Sequence, residues 1–106
     1  MSKPLVVSIP HNLGRAEATR RLQKGLGEAR QKFGSVVGFV DETWTGDHLD
    51  FKVAAMGQEI RTTIDVFESH VRLELVLPPM LAFFGKQIEN VLRKETTDLL
   101  EDRSKR

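Results

Sequence analysis

Alternation of apolar and polar residues between positions 37 and 77 is the feature that most constrains the fold. It falls into four runs, predicted as strands at about 37–45, 48–56, 59–67 and 70–77. The runs are joined by the short segments Gly46-Asp47, Gly57-Gln58 and Glu68-Ser69. Connections this short favour antiparallel hairpins, so the stretch predicts a four-strand meander. Such a sheet has an apolar face that other elements must cover.

The two faces of this sheet can be assigned if every turn has two residues, because directly opposed residues then share a face. The predicted core face carries Val40, Trp44, Leu49, Phe51, Val53, Ala55, Ile60, Ile64, Val66, Val71, Leu73, Leu75 and Leu77. The other face carries two cross-strand rows, Thr43, Asp50, Asp65, Arg72 and Asp41, Lys52, Thr63, Glu74. Opposite charges alternate in these rows, which is typical of a solvated face with ion pairs.

A strand and a helix are predicted before the meander. In "LVVSI" the apolar residues alternate, and Pro10 ends the strand. In "LGRAEATRRLQKGLGEARQKF" one helical face is apolar, Gly14 is the expected N-cap residue and Gly34 follows as the C-cap. Gly25 and Gly27 lie inside this helix, where glycine costs about 1 kcal/mol relative to alanine. We expect a kink, a break into two helices or a close approach to the sheet there.

A second long helix is predicted after "LPP", with Pro79 at its first position. Its core stripe is predicted to comprise Leu81, Phe84, Ile88, Val91 with Leu92, Glu95 and Leu99. Met80 and Phe83 are apolar but fall outside that stripe. They either pack under the first helix or form a patch for a partner, a second subunit, a lipid or a hydrophobic polymer.

The predicted order of elements is therefore β-α-β-β-β-β-α. We expect a single domain over residues 1–106, with a frayed charged tail from about residue 101. Both helices must cover the apolar face of the antiparallel sheet, which gives a two-layer α+β sandwich. The first strand is expected to pair with the last, in the order 2-3-4-5-1. This plan is similar to a reduced helix-grip fold, in which a curved sheet wraps a long C-terminal helix and often leaves a pocket.

Composition and spacing argue against most kinds of catalytic site. The chain contains no cysteine, which excludes a disulfide, a thiolate nucleophile and a cysteine-ligated zinc site. His11, His48 and His70 lie in or directly beside three separate predicted loops, without the pairing expected of a metal site. "GLG" lacks the context of a dinucleotide site, and no serine-hydrolase motif is present. We therefore predict no catalytic residues, no metal and no cofactor.

Charge is distributed unevenly along the chain. Residues 15–33 carry six basic and two acidic side chains, whereas residues 34–77 carry eight acidic and three basic ones. A dipolar molecule of net charge +1, with no aromatic residues among the arginines of its first helix, fits nucleic acid poorly. No apolar run has membrane-spanning length, and the N-terminal run is too short for a signal peptide. We expect a cytoplasmic protein with no nucleic-acid partner and no transmembrane segment.

The predicted sheet contains three candidate site features. Trp44 is expected to be a core anchor, with a bordering binding cleft as the alternative. The predicted register places Glu42 on the apolar side of the sheet. Three explanations are open: an inward-pointing charge on an edge strand, a bulge that rotates the residue outward, or a polar group at the mouth of a pocket. Asp50 and Asp65 are predicted to oppose each other, and paired carboxylates can share a proton or hold a metal. Arg72 beside them favours a structural ion-pair network.

Three segments of the chain together carry a family resemblance. They are "IPHNLGRAEATRRL", "WTGDHLDFKVAAMGQ" and "VFESHVRLELVLPPMLAFFGKQIENVL". In this order they resemble the small polyhydroxyalkanoic acid system proteins, also called granule-region proteins, from about Pro4 to Leu99. The resemblance implies a cytoplasmic association with the storage of polyhydroxyalkanoates, which are intracellular polyester granules. It brings no catalytic residues.

Two functions remain open from the sequence. The first is a non-enzymatic accessory protein that binds a hydrophobic or acyl-type molecule, or the granule surface, through a sheet–helix cleft and the helical patch. Its candidate surface residues are Trp44, Glu42, Met80, Phe83 and Phe84. The alternative is a protein-interaction module, in one form a homodimer through the same helix, that regulates synthase or phasin-like partners. An enzyme acting on hydroxyacyl esters is disfavoured, because the sequence offers no nucleophile constellation.

Overall fold

The computed structural model describes residues 4–33, 38–55 and 57–101. Its elements are β1 (Leu5–Pro10), α1 (Arg15–Phe33), β2 (Gly38–Thr45), β3 (His48–Ala55), β4 (Gln58–Val66), β5 (His70–Val76), α2 (Pro79–Ala82) and α3 (Gly85–Glu101). The predicted order is confirmed, and the second predicted helix is divided into α2 and α3. The expected cap at Gly34, strand positions 37 and 56, and the tail from 102 lie outside the described residues.

The strands form one five-stranded antiparallel sheet in the order β1-β5-β4-β3-β2. This is the predicted order, with the first strand added to the last. The β2–β3 hairpin also has its predicted register near the turn, where Trp44 pairs with Leu49. The predicted pairing of Asp65 with Arg72 between β4 and β5 is likewise present.

The register between β3 and β4 differs from the prediction by two residues. Gln58 was predicted as a turn residue, but it pairs with Ala55 as part of β4. Gly57 has a φ of +74°, a conformation that glycine adopts without the steric cost met by other residues, and the chain returns to strand immediately after it. As a result His48, not Asp50, faces Asp65, and Asp50 faces Thr63. The predicted opposition of Asp50 and Asp65 is therefore wrong.

A β-bulge interrupts the edge strand β2. Val40 pairs with Lys52 and Thr43 pairs with Asp50, so Asp41 and Glu42 are accommodated between them. Asp41 takes a φ of 55°, as a residue in a bulge can. Because Lys52 lies on the solvent face, Val40 lies there too and is exposed, and its predicted place in the core is wrong.

The apolar face of the sheet is covered by α1 and α3, giving the predicted α+β arrangement of helices on a sheet. The buried hydrophobic residues are Val7, Ile9, Ala18, Leu22, Leu49, Phe51, Ile64, Val66, Val71, Leu73, Leu75, Leu77 and Leu100. Arg21 of α1 donates from Nη1 to the carbonyl oxygen of Leu100 at 2.6 Å. Arg93 of α3 donates from Nη1 to the carbonyl oxygen of Ser8 at 3.0 Å, which fixes α3 beside the edge strand β1.

Gly25 lies where α1 packs closely against α3. α1 is unbroken from Arg15 to Phe33, so the expected break into two helices is absent from it. A Cβ placed at Gly25 would lie 2.5 Å from Cδ2 of Leu99 in α3. The glycine therefore permits a helix–helix approach, where the sequence suggested a helix–sheet approach. Gly27, by contrast, has nothing within 4 Å of a built Cβ.

None of the helices in the described ranges is long and apolar enough to cross a membrane.

Candidate docking surface

Four large apolar side chains are exposed on α2, on the turn after it and on the first half of α3. The exposed fractions are 59% for Met80, 86% for Phe83, 53% for Phe84 and 59% for Val91. We call these four residues the α2–α3 apolar surface. Together they present on the order of 500 Å² of apolar area, comparable with the largest patch of a typical monomer. Patches of that size are often functional.

The local sequence explains why this surface forms. Pro78 has an extended ψ of 155° and Pro79 occupies the first turn, so α2 begins abruptly after β5. Leu81 is the α2 residue that packs on the core. The amide of Ile88 bonds the carbonyl of Phe84 at 2.9 Å, so the chain continues helically into α3. Phe84 accepts this bond of α3 and Val91 follows seven residues later, so these two side chains lie on one side of α3, with Met80 exposed on α2 just before them.

Phe84, Val91 and Glu95 were predicted to belong to the core stripe, and that part of the prediction is wrong. All three side chains are exposed. The stripe that packs against the core instead comprises Leu81, Ile88, Leu92 and Leu99, with Thr96 and Leu100 buried beside it. The apolar surface is therefore larger than the sequence suggested.

Trp44 and Glu42 are brought together on the edge strand β2. Trp44 is half-buried against the core, and its Nε1 donates to Oε2 of Glu42 at 3.1 Å. Glu42 is also ion-paired with Arg30 of α1. The bulge thus leaves Glu42 on the helix side of the sheet, where the carboxylate ties β2 to α1. These two candidates lie at the β2 edge, whereas α3 packs beside β1 at the opposite edge.

An Asp–His–Asp cluster lies on the solvent face of the sheet. His48 Nδ1 is 2.5 Å from Oδ1 of Asp65, and Nε2 is 3.0 Å from Oδ2 of Asp50. The hydrogen bond with Asp65 is the main reason that the pKa of His48 is raised, with Asp50 adding to it. Only the protonated ring donates from both nitrogens, so this geometry fits the imidazolium form.

Sequence reasoning missed this cluster because of the register error at Gln58. The available signal was the spacing of His48 and Asp50, since residues two apart on a strand share a face. Within residues 4–33, 38–55 and 57–101, no three His, Asp or Glu side chains are arranged to hold a metal ion. The contact between His48 and Asp65 links β3 to β4.

His11 is buried and joins two loops. Its Nδ1 accepts from the amide of Leu13 at 3.2 Å, so Nε2 carries the proton and donates to the carbonyl of Phe67 at 3.1 Å. The backbone amide of His11 also bonds the carbonyl of Ser69 at 2.9 Å. A concavity of about 550 Å³ lies beside His11, between this loop and the end of α3. The guanidinium of Arg21 on its wall is engaged by Glu17 and by a backbone carbonyl.

The basic residues of α1 are extensively paired with carboxylates. Glu17 accepts from Arg20 at 2.6 Å and from Arg21 at 2.8 Å, and these bonds lower its pKa to about 2. Arg15 lies 3.6 Å from Asp47 in the β2–β3 turn. Thr19 also donates to Asp47, at 3.1 Å, so the charges of α1 help to hold this turn.

A comparison with curated proteins found no match. The family model described as "Putative polyhydroxyalkanoic acid system protein" matches residues 5–100, which span every described strand and helix except the last residue of α3. The chain therefore belongs to the polyhydroxyalkanoic acid system protein family.

Proposed function

We propose that this protein is a non-enzymatic accessory protein of polyhydroxyalkanoate storage that binds the polyester granule through the α2–α3 apolar surface. The observation that carries the proposal is the exposure of Met80, Phe83, Phe84 and Val91 on α2, the turn after it and the first half of α3. Family membership supplies the polyester context. The granule is an intracellular apolar surface large enough to cover all four side chains at once.

The size of the surface is suited to reversible adsorption. At about 25 cal/mol per Å², covering about 500 Å² of apolar area yields about 12 kcal/mol as an upper bound. Association costs of about 4–15 kcal/mol offset much of that gain. We therefore expect binding that depends on most of the α2–α3 apolar surface, so that the loss of two of its side chains weakens binding strongly.

A protein-interaction module is the second candidate, because the same surface can fit an apolar groove on a partner protein. A homodimer formed through this surface alone is less favourable. About 500 Å² per subunit falls short of the roughly 800 Å² that each partner contributes to a standard interface. Binding of an acyl-type small molecule in a sheet–helix cleft, and the likeness to a helix-grip fold on which it rests, stay predictions.

Co-sedimentation with poly(3-hydroxybutyrate) particles tests the proposal. The variant M80Q/F83Q replaces two of the four apolar side chains with glutamine, which is polar and a good helix former. The matched control is V6T/V76T on the solvent face of the sheet, where Val6 is 44% exposed and Val76 is 42% exposed. Threonine keeps the β-branched shape there. Circular dichroism and thermal melts establish that both variants are folded.

We expect M80Q/F83Q to bind at least about tenfold more weakly than wild type, which corresponds to about 1.4 kcal/mol, while V6T/V76T binds within about twofold. Fluorescent fusions in a polyester-accumulating bacterium should give the same ranking of granule localisation. Undiminished granule binding by a folded M80Q/F83Q would remove this surface from the proposal. Turnover of a hydroxyacyl ester above the uncatalysed rate would contradict the non-enzymatic assignment.

A further inference from the structure

The exposed side of α2 and α3 changes character along its length. Its first half carries the α2–α3 apolar surface, which ends at Val91. Lys94, Glu95 and Asp98 follow three, four and seven residues after Val91, so they lie on the same side of the helix. Lys94 and Glu95 are exposed, and Lys94 Nζ is 3.5 Å from Oδ2 of Asp98. The second half of this side is therefore charged.

Among residues 4–33, 38–55 and 57–101, few charged side chains of α2 and α3 flank the apolar half. Lys86 is exposed and lies three residues after Phe83, at the margin of the surface. Glu89 is neutralised by Arg93, with Nη2 of the arginine 2.9 Å from its Oε2. The guanidinium of Arg93 is also held by the carbonyl of Ser8, so this cation is committed to the β1 edge. The field around the apolar half is consequently weak.

We propose that the apolar half docks on an uncharged apolar surface with the helix inclined, so that the charged half stays in water. This inference rests on the proposed function and specifies the chemistry and orientation of its contact. Covering Lys94, Glu95 and Asp98 would require removing water from three charged groups, a cost that their mutual pairing does not repay. Docking flat along the whole helix is therefore unfavourable.

The partner is uncharged because charge contributes little to this contact. The attraction of the single Lys86 to an anionic surface is small beside the gain from burying the four apolar side chains. Glu95 lies four residues after Val91, and its negative charge repels an anionic partner. Binding should therefore be nearly independent of salt, since screening weakens only the electrostatic part.

Single-cysteine labelling measures the orientation directly. The chain has no cysteine, so Gln87→Cys and Glu95→Cys each create one labelling site for an environment-sensitive fluorophore. Both positions are exposed, and they are eight residues or about 12 Å apart along the helix. Gln87 lies between Phe84 and Val91, whereas Glu95 belongs to the charged half. Each labelled protein is titrated with polyester particles, neutral phosphatidylcholine vesicles and vesicles containing about one-third anionic phosphatidylglycerol, at low and roughly tenfold higher salt.

We expect a blue shift of the label at position 87 and little change at position 95 on polyester and on neutral vesicles. The half-saturation concentration should change by less than about threefold between the two salt conditions. Equal shifts at both positions would overturn the inclined orientation. Binding confined to the anionic vesicles, or weakened about tenfold or more by salt, would overturn the uncharged partner.

The remaining outcomes separate this inference from the proposed function. Shifts on neutral vesicles without binding to polyester would support the inclined apolar contact and remove the granule function. No shift on any uncharged surface would overturn the inference. A label at position 87 that is already shifted without particles, in a protein that sediments as a dimer, would assign the surface to a second copy of the chain and also overturn it.

Discussion

Substitution of Gly25 by alanine tests the close packing of α1 against α3. A Cβ at this position would lie 2.5 and 2.6 Å from the two Cδ atoms of Leu99 and 3.0 Å from its Cγ. A change of χ2 can move the two methyl groups but leaves Cγ in place, so the side chain or the helices must shift. Inserting a methyl group into a packed site of this kind costs about 1–3 kcal/mol.

Gly27→Ala is the matched control for this substitution. Both glycines lie within α1, and neither a positive φ nor a nearby atom restricts a side chain at Gly27. Alanine should therefore stabilise position 27 by about 0.5–1 kcal/mol, as expected for a helix interior. At Gly25 the same gain is outweighed by the contact with Leu99. The two variants should differ by about 1–3 kcal/mol in the free energy of unfolding.

Urea denaturation of four proteins isolates the contact. They are wild type, Gly25→Ala, Leu99→Ala and the double variant, with Gly27→Ala measured beside them. Leu99→Ala removes Cγ and both Cδ atoms, so Gly25→Ala should become stabilising by about 1 kcal/mol in that background. If Gly25→Ala matched Gly27→Ala in the wild-type background, the reasoning from the Leu99 contact would be refuted.

Three further predictions follow from the polar contacts. The pKa of His48 is raised in the folded state, so the stability that His48 contributes is fully present below pH 6.5, the pKa in the unfolded chain. That contribution is lost as the pH rises through the pKa of the folded state. The urea midpoints of wild type and His48→Gln should therefore converge at high pH. His11→Ala should cost about 2–4 kcal/mol because it leaves a loop amide and a carbonyl without partners, whereas exposed Asn12→Ala should stay within about 0.5 kcal/mol in the same thermal melts. A double-mutant cycle on Glu42 and Arg30 should give a coupling of about 1 kcal/mol or less, and a larger value would mean that this partly exposed pair is poorly screened.

The strand order could be predicted because periodicity and turn length determine most of it. Short connections leave few ways to pair consecutive strands, and β1 was placed beside β5 because it can add antiparallel to that edge. The register between β3 and β4 could not be predicted in the same way. Either Gly57-Gln58 or a turn one residue earlier is compatible with the alternation. A shift of two residues in the pairing keeps every side chain on the same face, so hydrophobic patterning gives no warning.

The prediction that Val40 lies in the core was wrong for a different reason. A bulge adds one residue to a strand and reverses the faces of the residues beyond it. Asp41 and Glu42 give no glycine signal for such a bulge, and the alternation of β2 alone does not show it. The hairpin register places the carboxylate of Glu42 on the apolar side of the sheet. A charged residue at such a position is the indication in the sequence that β2 is irregular there.

The apolar surface was underestimated because residues three apart on a helix do not lie directly above one another. Three residues turn through 300°, which leaves Phe84, Val91 and Glu95 about 60° away from Leu81, Ile88 and Leu92 respectively. The presence of Glu95 in the predicted stripe was the indication that the side of the helix carrying Phe84, Val91 and Glu95 faces water. A narrower stripe built on Leu81, Ile88, Leu92 and Leu99 would have left Phe84 and Val91 outside the core.

The two exposed layers of the molecule differ in what a partner must desolvate. The solvent face of the sheet carries His48 paired with Asp65 at 2.5 Å, and Arg72 paired with Glu74 at 3.0 Å. Covering such pairs removes water from charged groups and seldom repays the cost. The α2–α3 apolar surface has mainly amides and Lys86 at its margin, so its coverage gains apolar burial at a small polar cost. An apolar partner is therefore expected to bind the helical layer. Leu81 packs on the core that the sheet provides, which holds the α2–α3 apolar surface in place.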